Sequence, residues 1–313
     1  MRDFRREIAL LVSIAIGFGL VALAVNVSVY TWLLFIGAPV LTGFVSVLIY
    51  SWNRHRELAP CLWLSVWPFA GICVLVLVFK LDGLICCLMA APIVIPFGLL
   101  GGYIALYMQT HKAAVAASCL ILFLPSGILL GRHGPVARVF KVSTAIVVDA
   151  PPETVWRHVT DFPAIIKEPS AIFRAGVAYP TESDIRGAGL GAARQCLLST
   201  GRLDETVTAW NPPYLLRFDV NSTPPAMHEL SPWRDIDPPH LHGFYRSYRG
   251  EFRLTELPGH RTLVAGTSWY SHGLEPAQYW RLWSDYVVHS VHRRVLTHIK
   301  ELSEADAARI AAR

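Results

Sequence analysis

The chain has 313 residues, 53% of them apolar, with a formal net charge of +5 and a mean hydropathy of +0.39. That exceeds what a soluble domain of this length carries, and the excess lies in the first half. Up to Phe140 there are nine Lys and Arg against four Asp and Glu, whereas residues 141–313 hold nineteen of each, so the whole +5 belongs to the first half. A neutral second half with scattered arginines has no basic stripe for phosphates, which excludes nucleic acid as a partner.

A charge at the centre of a membrane-spanning helix costs roughly 2.5–3.5 kcal/mol, so uncharged runs bounded by charges mark candidate spans. Residues 8–25 form one run and 32–50 a second, with Asn26, Ser28 and Thr31 as a polar turn between them. Together they are too long for one helix across a hydrocarbon core of about 30 Å. After Arg54-His55-Arg56-Glu57, residues 61–79 make a third span, and Lys80-Leu81-Asp82-Gly83 is a tight turn. Residues 84–108 make a fourth, in which Pro92 and Pro96 predict a kink. Gln109 to Lys112 separate it from a fifth, 113–130. More apolar chain follows the first run, so it is read as a span and not as a cleaved signal.

None of these runs carries Asp, Glu, Lys or Arg in its interior, which disfavours an ion or proton path. Gly98, Gly101, Gly102 and the Gly17-x-Gly19 pair predict close helix approach. Cys61, Cys73, Cys86, Cys87 and Cys119 lie in or beside the spans and read as small apolar residues. Their spacing suits neither zinc nor a disulfide framework, so no metal site and no cofactor is expected. Arg2, Arg5, Arg6, Arg54, Arg56 and Lys112 fall on one side of a five-span bundle and Lys80 alone on the other. This predicts a cytoplasmic N-terminus in an inner or plasma membrane. Five spans then place the C-terminal domain outside the cytoplasm, although Arg132, Arg138 and Lys141 argue the other way.

Beyond Gly131-Arg132-His133-Gly134-Pro135, a linker by composition, the period changes. Residues 143–149 are β-branched and end in Ala150-Pro151-Pro152-Glu153, a helix start. Val155, Trp156, Val159 and Phe162 recur at helical spacing, and Pro163 ends that segment. Short strands are predicted over 192–199, 203–210 and 214–220, the last two joined by Asn211-Pro212-Pro213. Two longer ones, 243–257 and 261–272, flank the Pro258-Gly259-His260 turn. A helix of about twenty-seven residues runs from Pro276 to Leu302. Cys196, on a strand, reads as a buried thiol.

The order of strand, helix, meander and long terminal helix resembles the START-like helix-grip superfamily. This is the SRPBCC group, which includes polyketide cyclases and dehydrases and lipid-transfer proteins. The resemblance rests on Val147-Val148-Asp149-Ala150-Pro151-Pro152-Glu153-Thr154-Val155-Trp156 and on Gly189-x-Gly191-Ala192-Ala193-Arg194. Glu205 through Trp210-Asn211-Pro212-Pro213, Gly250-Glu251-Phe252-Arg253-Leu254 and the terminal helix complete it, over about 140–302. It implies a curved antiparallel sheet wrapped around the long helix and enclosing an apolar cavity, a fold that dictates no single activity. The expected architecture is an all-α transmembrane bundle of about five spans, residues 1–135, followed by an α+β helix-grip domain, residues 136–313.

On the long helix, Tyr279, Trp283, Val287 and Ser290 share one side, with Trp280, Val291 and Val295 beside them. Arg281, Asp285, His289 and His292 lie opposite. The apolar face is either core packing against the sheet or the wall of a ligand cavity, to which Trp269 on the last strand also belongs. Arg294, within that face, pairs with a strand carboxylate or with a ligand head group.

Residues 221–242 make a proline-stiffened loop whose length is unusual in a compact domain. It carries His228, Glu229, Asp235 and Asp237, and its His240-x-His242 spacing points both imidazoles to one face of an extended chain. Such sets bind zinc or transfer protons, yet no third ligand has a diagnostic spacing and no Gly-x-Ser-x-Gly occurs. The other reading is a lid or docking loop whose Trp233 suits the membrane interface.

Three functions follow. The first is a membrane-anchored binding domain for a lipid or other apolar small molecule. The second is a cyclase, dehydrase or hydrolase using His228, Glu229, His240 or His242. The third is a structural or regulatory membrane protein with a protein partner.

Overall fold

In the computed structural model, residues 4–52, 57–111, 138–233 and 236–312 are described. The chain divides into two compact units: a helical unit of Met1–Val136, Glu229–His240 and Gly273–Tyr279, and a sheet unit of Ala137–His228, Leu241–His272 and Trp280–Arg313.

The helical unit contains α1 (Arg5–Asn26), a π-helical turn at Leu33–Gly37 that runs into α2 (Ala38–Ser51), α3 (Leu58–Val78) and α4 (Leu84–His111). Four described helical stretches are long and apolar enough to cross a membrane. The expected fifth span lies outside the described residues. Both Pro92 and Pro96 sit inside α4, which continues through them.

Small residues set the closest approach in this bundle. A Cβ on Gly43 would lie 2.0 Å from the Gly98 carbonyl oxygen, and one on Gly101 would lie 2.0 Å from that of Val40. The α2 and α4 backbones therefore touch where a larger residue would separate them. At one end of the unit Arg5 Nη1 donates to the Trp52 carbonyl at 2.5 Å, joining the start of α1 to the end of α2. The α1–α2 and α3–α4 turns are at the other end.

The sheet unit has seven antiparallel strands: β1 (Phe140–Val148), β2 (Pro180–Arg186), β3 (Ala193–Leu198), β4 (Gly201–Asn211), β5 (Leu215–Ser222), β6 (Tyr245–Leu257) and β7 (Arg261–His272). Their spatial order is β1-β7-β6-β5-β4-β3-β2. Helix α5 (Pro152–Thr160), the short α6 (Ala171–Arg174) and the long α7 (Ala277–Ala311) complete it.

Alternation selects the core. Leu216, Phe218 and Val220 of β5, Phe252 and Leu254 of β6 and Val264 of β7 are buried; most of them join Val155, Trp156 and Val159 of α5 and Val295, Leu296 and Ile299 of α7 in one cluster. The β6–β7 hairpin turns through the three residues Pro258, Gly259 and His260, the last two left-handed with φ of 82° and 56°.

Strand β2 has the sequence Pro-Thr-Glu-Ser-Asp-Ile-Arg, which lacks β-branched patterning, and it is held by its register with β3. Helix α7 runs nine residues beyond the expected end near Leu302, because residues 303–311 are rich in Ala, Glu and Arg, which favour helix.

Candidate functional site

Two faces of α7 behave differently. Val288, His292, Val295, Leu296 and Ile299 are buried. Tyr270 on β7 donates to Asp285 Oδ1 at 2.5 Å, and Ser268, also on β7, lies 2.8 Å from His292 Nε2. His292, expected on the outer side with Asp285, is thus on the sheet-facing side. Thr144 of β1 meets His292 Nδ1 at 3.0 Å and His289 Nδ1 at 2.7 Å, so hydroxyls satisfy an imidazole that polarity alone assigned to solvent. Burial and the nearby His289 push the His292 pKa down to about 4.

Trp283, Val287, Ser290 and Arg294 lie on the other face and stay half-buried. This face turns toward residues 165–180. Arg294 Nε donates to the Pro180 carbonyl at 3.1 Å, its Nη2 donates to Ile165 and Lys167 at 3.3 and 3.0 Å, and its guanidinium lies 4.9 Å from the centre of the Tyr179 ring. The partners of Arg294 are backbone carbonyls, not a strand carboxylate. Trp269 follows Ser268 and precedes Tyr270 on β7, so it points to the sheet face away from α7. There it lines a pocket of about 400 Å³ with Val139, Asp219, Val220, Tyr248 and Arg249. Tyr279 belongs to the helical unit, where its hydroxyl donates to the Met89 carbonyl.

Inside the sheet unit, Arg194 of β3 and Glu205 of β4 form an ion pair with side-chain exposures of 3% and 2%. The guanidinium lies 4.7 Å from the Phe218 ring centre and 6.0 Å from that of Phe252. Burial pushes the Glu205 carboxyl up, against the guanidinium that pulls it down. Among the described residues, Arg194 Nε and the buried Ser183 hydroxyl have no hydrogen-bond partner. Burial pushes the neighbouring Cys196 thiol up to about 12, so it stays protonated.

The loop read for chemistry is divided. The amide of His228 bonds the Gly176 carbonyl at 2.9 Å in the sheet unit, and His242 also falls in that unit. Glu229 and His240 belong to the helical unit, with Glu229 Oε1 3.2 Å from His240 Nε2. They meet Asp82 and Cys86, two residues the sequence had not connected with them. Trp233 Nε1 donates to the Leu77 carbonyl at 2.8 Å, and Lys80 Nζ lies 5.0 Å from its ring centre. The indole thus lies against the end of α3, one of the helices long and apolar enough to cross a membrane.

Residues 139–304 match the family model described as polyketide cyclase / dehydrase and lipid transport. The chain belongs to this family. Its fold supports a hydrophobic ligand-binding domain, preceded here by helices suited to membrane association.

Several solved structures are similar to about half of the chain. A protein from Nitrosospira multiformis is 23% identical, covering 56% of this chain and 100% of its own, with a TM-score of 0.33. The Zhui aromatase/cyclase from Streptomyces sp. R1128 is 14% identical, covering 56% and 96%, with a TM-score of 0.34. A truncated norcoclaurine synthase from Thalictrum flavum is 10% identical, covering 53% and 94%, with a TM-score of 0.34. No match is found among curated protein sequences.

Proposed function

We propose that the sheet unit binds a lipid or other apolar small molecule along the second face of α7, and that the spanning helices hold it beside a membrane. The observation that carries this reading is the unequal use of α7. One face is consumed by core packing, while Trp283 and Val287 remain half-buried on the other. An apolar face left partly open beside a closed core is what a ligand would cover. Arg294 closes one end of that face by holding the 165–168 segment through its carbonyls.

The helical unit also supports a reading of sidedness. His240 approaches both the α1–α2 turn, with its ring 5.4 Å from that of Tyr30, and the α3–α4 turn, 3.7 Å from Asp82. Glu229 and His240 therefore sit at the end of the bundle away from Arg5, and the bias of basic residues toward the N-terminal end supports an extracytoplasmic position for them.

The test is direct. The full chain in nanodiscs is titrated with a fluorescent fatty acid and analysed by native mass spectrometry. Val287→Arg is expected to weaken binding by about tenfold or more, since it sets a charge against an apolar ligand. Leu282→Arg, at a position 69% exposed, should leave binding unchanged. A wild-type chain that neither carries nor takes up the probe would remove the reading.

A further inference from the structure

We propose that Asp82, Cys86, Glu229 and His240 form a zinc site at the end of the helical unit. One ligand atom from each of the four residues lies within 4.8 Å of the other three. Cys86 Sγ is 3.0 Å from Glu229 Oε1 and 3.4 Å from His240 Nε2, and Glu229 Oε1 is 3.2 Å from that nitrogen. Zinc bonds of about 2.0–2.3 Å in a tetrahedron give edges of about 3.3–3.7 Å, so these three atoms form nearly one face of such a site. A carboxylate oxygen of Asp82 lies within 4.8 Å of the ligand atoms of the other three residues, close enough to supply the fourth ligand.

The local chain brings these groups together from both sides. Asp82 ends the α3–α4 turn, and Cys86 stands four residues on, in the first turn of α4. The Leu84 amide donates to the Leu230 carbonyl at 2.8 Å, which places Glu229 over that turn. His240 is presented by the short helical turn Pro239–Leu241, and Tyr30 packs edge-on against its ring.

A further observation points to a cation. Glu229 Oε2 is buried without a hydrogen-bond partner among the described residues, and its side chain is fully enclosed. Gly83 leaves the room: a Cβ there would lie 1.9 Å from Glu229 Oε2. Two carboxylates around one imidazole hold more negative charge than the imidazole can balance. A mixed sulfur, nitrogen and oxygen set selects zinc over magnesium or calcium, which take oxygen ligands. Four protein ligands make a closed, structural site, whose effect is to fasten Glu229 and His240 onto the helices.

The test uses the full chain in nanodiscs, stripped of metal with a chelator under reducing conditions and titrated with Zn²⁺ or Co²⁺. About one ion per chain is expected, with a cobalt spectrum showing tetrahedral d–d bands and a thiolate-to-metal charge-transfer band. Cys86→Ser should abolish that band and weaken zinc binding by about a hundredfold, and Glu229→Gln should weaken it without removing the band. Cys73→Ser, on a neighbouring helix, should change neither. A wild-type chain with no charge-transfer band, or zinc binding unchanged by Cys86→Ser, overturns the assignment. The wild-type cobalt spectrum decides the matter even where a substitution disturbs folding.

Discussion

Two buried polar clusters, one in each unit, solve the problem of enclosed charge differently. Arg194 and Glu205 in the sheet unit balance each other, and two phenyl rings cover the guanidinium. Asp82, Cys86, Glu229 and His240 in the helical unit hold two carboxylates, and burial pushes Asp82 up to about 6 against the pull of His240. Hydrogen bonding to Glu229 and the two carboxylates push His240 up despite its burial. The first cluster sets one cation against one anion, with Arg194 Nε and the Ser183 hydroxyl left over, whereas the second sets two carboxylates against one imidazole and is the one assigned an ion.

The sharpest way to break this contrast is to unbalance the first cluster. Arg194→Leu leaves the Glu205 carboxylate enclosed without its partner and should lower the stability of the sheet unit by about 3–5 kcal/mol. The double change Arg194→Leu with Glu205→Leu removes both charges and should recover most of that loss. Chemical unfolding of the full chain, followed by Trp fluorescence, reads both. A double variant as unstable as the single one would show that the pair does more than balance itself.

A second prediction concerns pH. The folded His292 titrates near 4, below the ordinary 6.5, so the unfolded chain binds the proton more tightly. Its contribution is intact above about pH 6.5 and is lost as pH falls toward 4; a shift of roughly 2.5 units corresponds to about 3 kcal/mol. His292→Asn, which keeps a hydrogen-bonding side chain without the titration, should flatten this part of the stability profile. An unchanged acid slope would assign it to other groups.

The legible parts of the molecule are those decided by short-range pattern. Four spans, the β6–β7 hairpin and the helix-grip order follow from charge-free runs, turn residues and alternation. Strand β2 was not legible, because Thr181 to Arg186 are polar apart from Ile185 and form a strand through pairing with β3. The α7 faces were misjudged at His292 because polarity signals solvent, and only the structure reveals the Thr144 and Ser268 hydroxyls that satisfy it. The helical cluster was legible only in half. Glu229 and His240 stand in a suggestive loop, but Cys86 lies 143 and 154 residues from them and reads as one small apolar residue among several.

The smallest effects separate buried from exposed polar contacts on the same helix. Asp285 accepts from the fully buried Tyr270 at 2.5 Å and pairs with the partly exposed Arg281 at 3.1 Å, four residues away. Tyr270→Phe removes a hydrogen bond to a charged acceptor and should cost about 1.5–3 kcal/mol. Arg281→Gln removes a helix-surface pair that solvent already screens, and should cost about 0.3–0.5 kcal/mol. If the two changes cost the same, Arg281 acts through its guanidinium over the Phe140 ring, whose centre is 5.2 Å away, and Phe140→Leu should then reproduce the larger loss. Unequal costs would mean that α7 is fixed to the sheet through its buried side, which leaves the Trp283 and Val287 face free of that task.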